Sequence, residues 1–246
     1  FAASDLTTQT VTVTITGADD DVTAGADQTG AVTEDATATT ATGTIAGSDA
    51  DDASSLAYTG DATGTYGAIA VVSGSGAWTY TLSNSDADTT ALDAGDSVTD
   101  TFTMTVTDSA SGETDTMAVT ITITGANDAP SAGSDGTGAV TEDASTSTST
   151  GSISATDADD AAAFTYSGDA TGTYGAIAVD SAGAWTYTLS NSDADTTALD
   201  AGDSVTDTFT MTVSDGTASD TMDVVITVTG ADDTSVWAGT STGSVT

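Results

Sequence analysis

Along most of the chain, apolar residues alternate with polar ones at a period of two, as half-buried strands require. Val98, Phe102, Met104 and Val106 fall on one face, while Thr99, Thr101, Thr103 and Thr105 fall on the other. The same alternation runs through Trp78, Tyr80 and Leu82, and through Met117, Val119, Ile121 and Ile123. Shorter strands are predicted around residues 31–33, 42–46, 56–59 and 66–71, separated by clusters of Gly, Asp and Ser. No segment carries a 3.6-residue apolar period, although SDADTTALDAGD accommodates one helical turn. The Thr-rich outer faces combine β-propensity with solubility.

The pattern is duplicated. The stretch from Gly76 to Val106 recurs letter for letter from Gly183 to Val213, and GDATGTYGAIAV at Gly60 recurs at Gly168. A TGA(D/N)D signature at Thr16, Thr124 and Thr229 sets the phase, with spacings of 108 and 105 residues. The difference falls in two Gly/Ser-rich turns, where VVSGSGAW becomes VDSAGAW and TDSASGETDTM becomes SDGTASDTM; such turns tolerate length changes. About seven short strands in a unit of this size predict an all-β chain of tandem antiparallel β-sandwich domains of immunoglobulin-like type. The expected division is 1–20, the tail of an earlier copy; 21–128 and 129–233, two sandwich repeats; and 234–246, the head of a later copy. A chain that starts and stops in mid-repeat is expected to be a window on a longer tandem array. Trp237, which takes the position of Ala24 and Ala132, is expected to pack on its own link.

Composition then narrows the chemistry. The 246 residues include 38 Asp and Glu and no Lys, Arg, His or Cys, a formal charge of −38. With no side-chain cation, binding to nucleic acid, phosphate loops and a polybasic membrane patch all lack support. With no His or Cys, the Ser-His-Asp and Cys-His nucleophiles and the usual zinc sites are excluded, as is a Lys Schiff base. No apolar run reaches the length of a membrane-spanning helix, so no membrane insertion is expected in this segment. The hydrophobic fraction of 37% is too high for a solvated tail.

Most of the carboxylates suit a solvated surface, but some are grouped. Each copy carries VTEDA (Glu34 and Asp35; Glu142 and Asp143), then an Asp-Ala-Asp-Asp run (Asp49, Asp51 and Asp52; Asp157, Asp159 and Asp160), then an Asp at a strand end (Asp108; Asp215). GA(N/D)D closes each unit at Asp19-Asp20, Asn127-Asp128 and Asp232-Asp233. Clustered, partly desolvated carboxylates repel one another unless a cation is bound. Oxygen is the only ligand type present, which selects Ca²⁺ or Mg²⁺, and flexible loop carboxylates favour Ca²⁺. Asp86 and Asp88 form a further D-x-D that suits a solvated loop.

The order of these motifs resembles the cadherin repeat, most clearly over residues 140–166, VTEDASTSTSTGSISATDADDAAAFTY. Across a whole unit, the G-x-W-x-Y-x-L strand, the A-L-x-A-G-D-S-V-T-D-T-F stretch and the closing T-I-T-G-A-N-D-A-P are similar to the bacterial VCBS repeat of large surface and secreted proteins. The cadherin resemblance implies calcium held between successive domains. At the middle junction it implies Glu34 and Asp93 from the first domain, Asn127 and Asp128 from the link, and Asp157, Asp159 and Asp215 from the second. The first junction would use Asp19, Asp20, Asp49, Asp51 and Asp108; at the last, Glu142, Asp200, Asp232 and Asp233 would await a partner. The chain departs from the cadherin pattern where Leu92-Asp93-Ala94-Gly95 lacks a Glu ligand, with Asp96 the nearest substitute, and where Gly125 and Ala129 replace link ligands.

The function this implies is non-enzymatic: a calcium-stiffened extender rod or fibre element of a bacterial surface or matrix protein. Its expected partners are adjacent repeats and identical chains in a fibre or sheath. The alternatives are a carbohydrate- or ice-binding module, which would present exposed aromatics, and a carboxylate-pair glycosidase, which would need an asymmetric acid and base in a cleft.

Overall fold

The computed structural model describes residues 8–51, 55–159 and 163–234. Trp237, Asp52, Asp160 and most of the expected head of a later copy lie outside the described residues. The chain divides into two compact units, one of residues up to Asn84 plus Ser97–Thr124, the other of Ser85–Asp96 plus residues from Gly125 onward.

In the first repeat the main strands are β1 (Gln28–Thr33), β2 (Thr40–Thr44), β3 (Leu56–Thr59), β4 (Gly67–Val71), β5 (Ala77–Leu82), β6 (Ser97–Asp108) and β7 (Thr114–Thr124). In the second they are β8 (Gly136–Thr141), β9 (Thr148–Ser152), β10 (Thr165–Ser167), β11 (Gly175–Val179), β12 (Ala184–Leu189), β13 (Ser204–Ser214) and β14 (Ser219–Thr229). One sheet of the first repeat runs β1-β7-β6-β3 and the other runs β2-β5-β4, with Ala62–Thr63 at its edge. The second repeat has the same order, β8-β14-β13-β10 and β9-β12-β11. Between β5 and β6 the expected helical turn forms as α1 (Ala87–Thr90), where the Asp86 side chain accepts from the Asp88 N–H and so caps the turn.

The sandwiches are antiparallel except for one pair each: β1 lies parallel to β7 and β8 parallel to β14. The reason is local. After β1 the chain crosses to the other sheet instead of turning back in a hairpin, and the crossing starts at Asp35, a left-handed residue with φ 52°. Asn84 steadies it, since the Asp35 N–H donates to Asn84 Oδ1 at 2.9 Å and Asn84 Nδ2 donates back to Asp35 Oδ1. In the second unit Asp143 (φ 54°) takes the same conformation and its N–H donates to Asn191 Oδ1 at 3.3 Å.

The strand faces carry out the period-two pattern. Phe102, Met104 and Val106 are buried, as are Met117, Val119, Ile121 and Ile123, with Met117 opposite Met104 and Val119 opposite Phe102 in the register of β6 with β7. Trp78 and Trp185 are each 2% exposed and Tyr80 and Tyr187 are fully buried, so none of these aromatics forms an exposed binding platform. The Tyr80 and Phe102 rings pack tilted at 5.9 Å, and Tyr187 and Phe209 at 5.8 Å. Side chains of this kind contribute about 1.5–3 kcal/mol each on full burial.

Asp100 shares the parity of this apolar face and is buried among it at 4% exposure, with Asp207 as its counterpart at 3%. Its Oδ1 accepts the Thr65 N–H at 2.9 Å, and its Oδ2 accepts the Tyr66 N–H at 3.1 Å and the Tyr80 hydroxyl at 2.9 Å. Asp207 makes the same three bonds to Thr173, Tyr174 and Tyr187. The turn must come close to be caught: a Cβ on Gly64 would stand 2.4 Å from the Asp100 carboxylate. Burial, and then the neighbouring Asp100, push the Tyr80 phenol well above its ordinary range, so it stays a donor. Replacing Asp100 by Ala removes the acceptor of three donors, of which the Tyr80 hydroxyl is buried, and is expected to cost about 2–3 kcal/mol in urea unfolding of the first unit. A loss below about 1 kcal/mol would show that those donors find other partners.

Candidate metal centre

The Asp-Ala-Asp runs fold as side-chain turns in which the first Asp accepts the N–H two residues on. Asp157 Oδ1 accepts the Asp159 N–H at 3.1 Å, and Asp49 Oδ1 accepts the Asp51 N–H at 2.8 Å. Each turn therefore satisfies one carboxylate oxygen and holds both side chains in a fixed relation.

In the second unit the turn meets the link. The Asp128 N–H donates to Asp159 Oδ2 at 3.1 Å, and Asn127 Nδ2 donates to Asp215 Oδ2 at 3.0 Å and to the Asp128 carbonyl. Asp215 sits where β13 turns towards β14, and its Oδ1 accepts the N–H groups of Thr217 and Ala218 at 2.6 and 2.7 Å. Asp93, Asn127, Asp159 and Asp215 line one cleft of about 280 Å³. Asp128 and Asp157 line a neighbouring depression of about 500 Å³. Two carboxylate oxygens here, Asp157 Oδ2 and Asp159 Oδ1, are buried without a hydrogen-bond partner among the described residues.

The electrostatics of the two sides differ. Burial raises the pKa of Asp159; the Asp128 N–H partly opposes this, while repulsion from Asp157, Asp128 and Asp93 adds to it. Asp215 is held below the ordinary carboxylate range by hydrogen bonds from Ala218, Thr217 and Asn127. Of the residues expected at this junction, six therefore share one unit. Glu34 belongs to the first unit, where it is 2% exposed and its N–H donates to the Thr124 carbonyl.

The first unit carries the equivalent groups. The Asp20 N–H donates to Asp51 Oδ2 at 2.7 Å. Asp108, 3% exposed, accepts from Ser55 Oγ, from the Ala110 N–H at 3.0 Å, and from the Ser111 N–H and hydroxyl at 2.9 and 2.6 Å. Those bonds, led by the two serine hydroxyls, hold its carboxyl far below the usual range. Glu113, absent from the expected ligands, joins this group. Burial raises its pKa, followed by repulsion from Asp21, Asp19, Asp108 and Asp49, and its Oε2 is buried without a partner. Its only sequence signal is its place in the turn whose length differs between the copies.

At the far end of the second unit Glu142 is 1% exposed, with Oε2 accepting the Ala231 N–H at 3.2 Å and Oε1 buried without a partner. Asp200 is exposed in a turn, its N–H donating to Asp203 Oδ2 at 3.0 Å, and Asp232 and Asp233 are exposed beyond Ala231. Among the described residues no group of three or more of these carboxylates is arranged to hold a metal ion as it stands.

Other aspartates act as backbone acceptors. Asp115 and Asp220 accept the N–H groups of Ala24 and Ala132, and Asp27 and Asp135 those of Ala118 and Asp223. Their recurrence in both copies was the available signal.

Paired sandwiches with acidic turns at the strand ends define a cadherin-like module. The bacterial cadherin-like domain family matches residues 19–125 and 127–230, and the chain belongs to that family. Among solved structures, mouse clustered PcdhgC3 EC1-3 is similar at TM-score 0.51 and 18% identity over 86% of this chain and 68% of that one. Mouse cadherin-23 EC22-24 is similar at TM-score 0.50 and 19% identity over 85% of this chain and 65% of that one. At these identities the likeness is one of fold. No curated protein sequence matches the chain.

The pKa directions set a pH dependence in chelator. The raised values of Asp159 and Glu113 mean that the folded protein takes up protons more readily than the unfolded one as pH falls from neutrality. The lowered values of Asp108, Asp115, Asp215 and Asp220 give stability that is present above the ordinary carboxylate range and is lost as pH falls through their folded values. The melting temperature in EDTA is expected to rise as pH falls from neutrality towards the ordinary carboxylate range, then to fall as pH drops through and below that range. A steady fall from pH 7 would contradict these directions.

Proposed function

We propose that the chain is a non-enzymatic, calcium-stiffened extender of an extracellular bacterial surface or matrix protein. The observation that carries this reading is the pair of buried carboxylate oxygens without partners, Asp157 Oδ2 and Asp159 Oδ1, in a chain that has no Lys, Arg or His to meet them. Oxygen-only ligands on loops suit Ca²⁺, which takes six to eight of them in flexible geometry. Asn127, Asp128, Asp157, Asp159 and Asp215, with Asp93, are the proposed ligands in the second unit. Glu34 is the ligand the family resemblance adds from the repeat before. Asp19, Asp20, Asp49, Asp51 and Asp108 are the counterparts in the first unit, and Glu142, Asp200, Asp232 and Asp233 those of the last site.

Ions that bind only the ordered arrangement stabilise it by RT ln(1 + [L]/Kd), about 2.7 kcal/mol per site at a hundredfold excess over Kd. An ion shared by ligands of successive repeats turns a flexible joint into a stiff one. Cytosolic calcium is too scarce to load weak sites of this kind, which suits an extracellular rod. Identical chains in a fibre or sheath are the proposed partners beyond neighbouring repeats.

Calcium is expected to raise the melting temperature over that in EDTA and to narrow the distribution of distances in small-angle scattering. Asp159→Asn is expected to remove most of the calcium-dependent gain of the second unit while leaving its EDTA melting temperature unchanged or higher. Superimposable melting and scattering profiles in calcium and in EDTA would sink the proposal.

A further inference from the structure

Among the described residues β9 (Thr148–Ser152) ends its sheet, paired with β12 on one side only. Its ladder shows which backbone groups face outward. The Leu189 N–H donates to the Ser147 carbonyl and the Ile153 N–H to the Gly183 carbonyl, so the odd-numbered residues serve β12. The N–H and C=O groups of Thr148, Thr150 and Ser152 therefore point away from the sheet. The link reaches this row only as far as Ser154, whose carbonyl accepts the Gly133 N–H at 2.9 Å.

An open strand edge is normally protected by charge, by Pro or by a bulge, and β9 has none of these. Residues 144–156 contain no Asp or Glu in a chain where 38 of 246 residues are acidic, and the single Pro is Pro130. The register from Thr148 with Thr188 to Ser152 with Ala184 skips no residue. The other three edges of the two four-stranded sheets in this repeat are guarded: β8 lies directly between Asp135 and Glu142, Ala170–Thr171 follows Asp169, and β10 ends two residues before Asp169. The first repeat caps the corresponding edge with a side chain. Gln28 Nε2 donates to the Thr44 carbonyl, and Gln28 Oε1 accepts from Trp78 Nε1 at 2.9 Å. Gly136 takes the place of Gln28, opposite Val224 as Gln28 is opposite Val119, so no such cap covers Ser152. Trp185 Nε1 accordingly has no partner among the described residues.

Two copies of this chain repel wherever their acidic surfaces face one another, since neither carries a side-chain cation. Backbone pairing across an uncharged edge needs no charge complement, and two antiparallel β9 strands complement each other. We propose that β9 is the surface through which two copies meet, each adding its edge to that of the other about a two-fold axis at Thr150. Thr150 then faces its own counterpart and Thr148 faces Ser152, which gives about six backbone bonds between the copies. One such contact is weak, and chains held side by side repeat it. This rests on the reading of identical chains as partners and names the surface they use; it does not rest on calcium.

The test is sedimentation and amide exchange of the whole chain from micromolar to millimolar concentration, in about 1 M NaCl, where the screening length falls to about 3 Å. Reversible dimers are expected, with exchange at Thr148, Thr150 and Ser152 slowed at least about tenfold while Ser149 and Gly151, already bonded to β12, change little. Thr150→Pro removes only an outward N–H, a place where a strand tolerates Pro, and Thr150→Asp adds charge to the edge. Both variants are expected to keep the melting temperature of the second unit and to weaken association at least about tenfold. Dimers of undiminished strength in both variants would leave identical chains as partners and overturn β9 as their surface. Slowed exchange at Thr40 and Thr42 in place of Thr148 and Thr150 would overturn it in favour of the first repeat. A parent chain that stays monomeric throughout would overturn the surface and the partner reading together.

Discussion

Every carboxylate in this chain must be answered by a hydrogen-bond donor or by a cation that the chain itself cannot supply. With 38 acidic side chains and no Lys, Arg or His, the usual ion pair is unavailable at every position. The folded protein uses two substitutes. Backbone N–H groups answer Asp27, Asp61 and Asp115 and their counterparts Asp135, Asp169 and Asp220. Hydroxyls answer Asp108 through Ser55 and Ser111, and Asp100 through Tyr80. Hydrogen bonds to charged groups are stronger than those between neutral ones, so these acids act as structural fasteners. What is left over, including one oxygen each of Asp157, Asp159 and Glu142, has no answer among the described residues.

The location of the remainder follows from the fold. Strand interiors have their N–H groups committed to the ladders, so an Asp in the middle of a strand either turns outward or, like Asp100, is caught by a neighbouring turn. Strand ends and links have uncommitted donors, but fewer than the acids gathered there. The Asp157–Asp159 turn uses one oxygen of Asp157 to accept its own backbone and one of Asp159 to accept the Asp128 N–H. The remaining oxygen of Asp159 then lies in the cleft with Asp93 and Asp215, and that of Asp157 in the neighbouring depression with Asp128. The duplication of the sequence places the Asp49–Asp51 turn and Asp108 in corresponding positions in the first unit, although Glu113 makes that group more acidic than its copy.

Much of this was legible in the sequence, because alternation and duplication are strong signals when helices are nearly absent. The burial of Phe102, Met104 and Val106, the turn at Asp86 and the seven main strands per copy follow from period and turn chemistry. The crossing at Asp35 did not, since a left-handed Asp held by an Asn 49 positions away leaves no local mark. Asp100 was hidden in plain view: it shares the parity of the apolar face, but its donors come from a turn 35 residues earlier that no pattern ties to it. Glu113 was missed because the resemblance to known repeats directs attention to recurring positions, and this one does not recur. The grouping of Asp93 with Asn127, Asp159 and Asp215 came from the family resemblance, and spacing alone could not have supplied it.

The central claim is that a bound calcium ion is the missing counter-charge. A crystal structure grown in calcium tests it most directly, through anomalous density in the second unit. A peak within about 2.3–2.6 Å of both Asp157 Oδ2 and Asp159 Oδ1 is the predicted result. Those two oxygens bonded only to water or to protein donors, with no such peak at saturating calcium, would contradict the account.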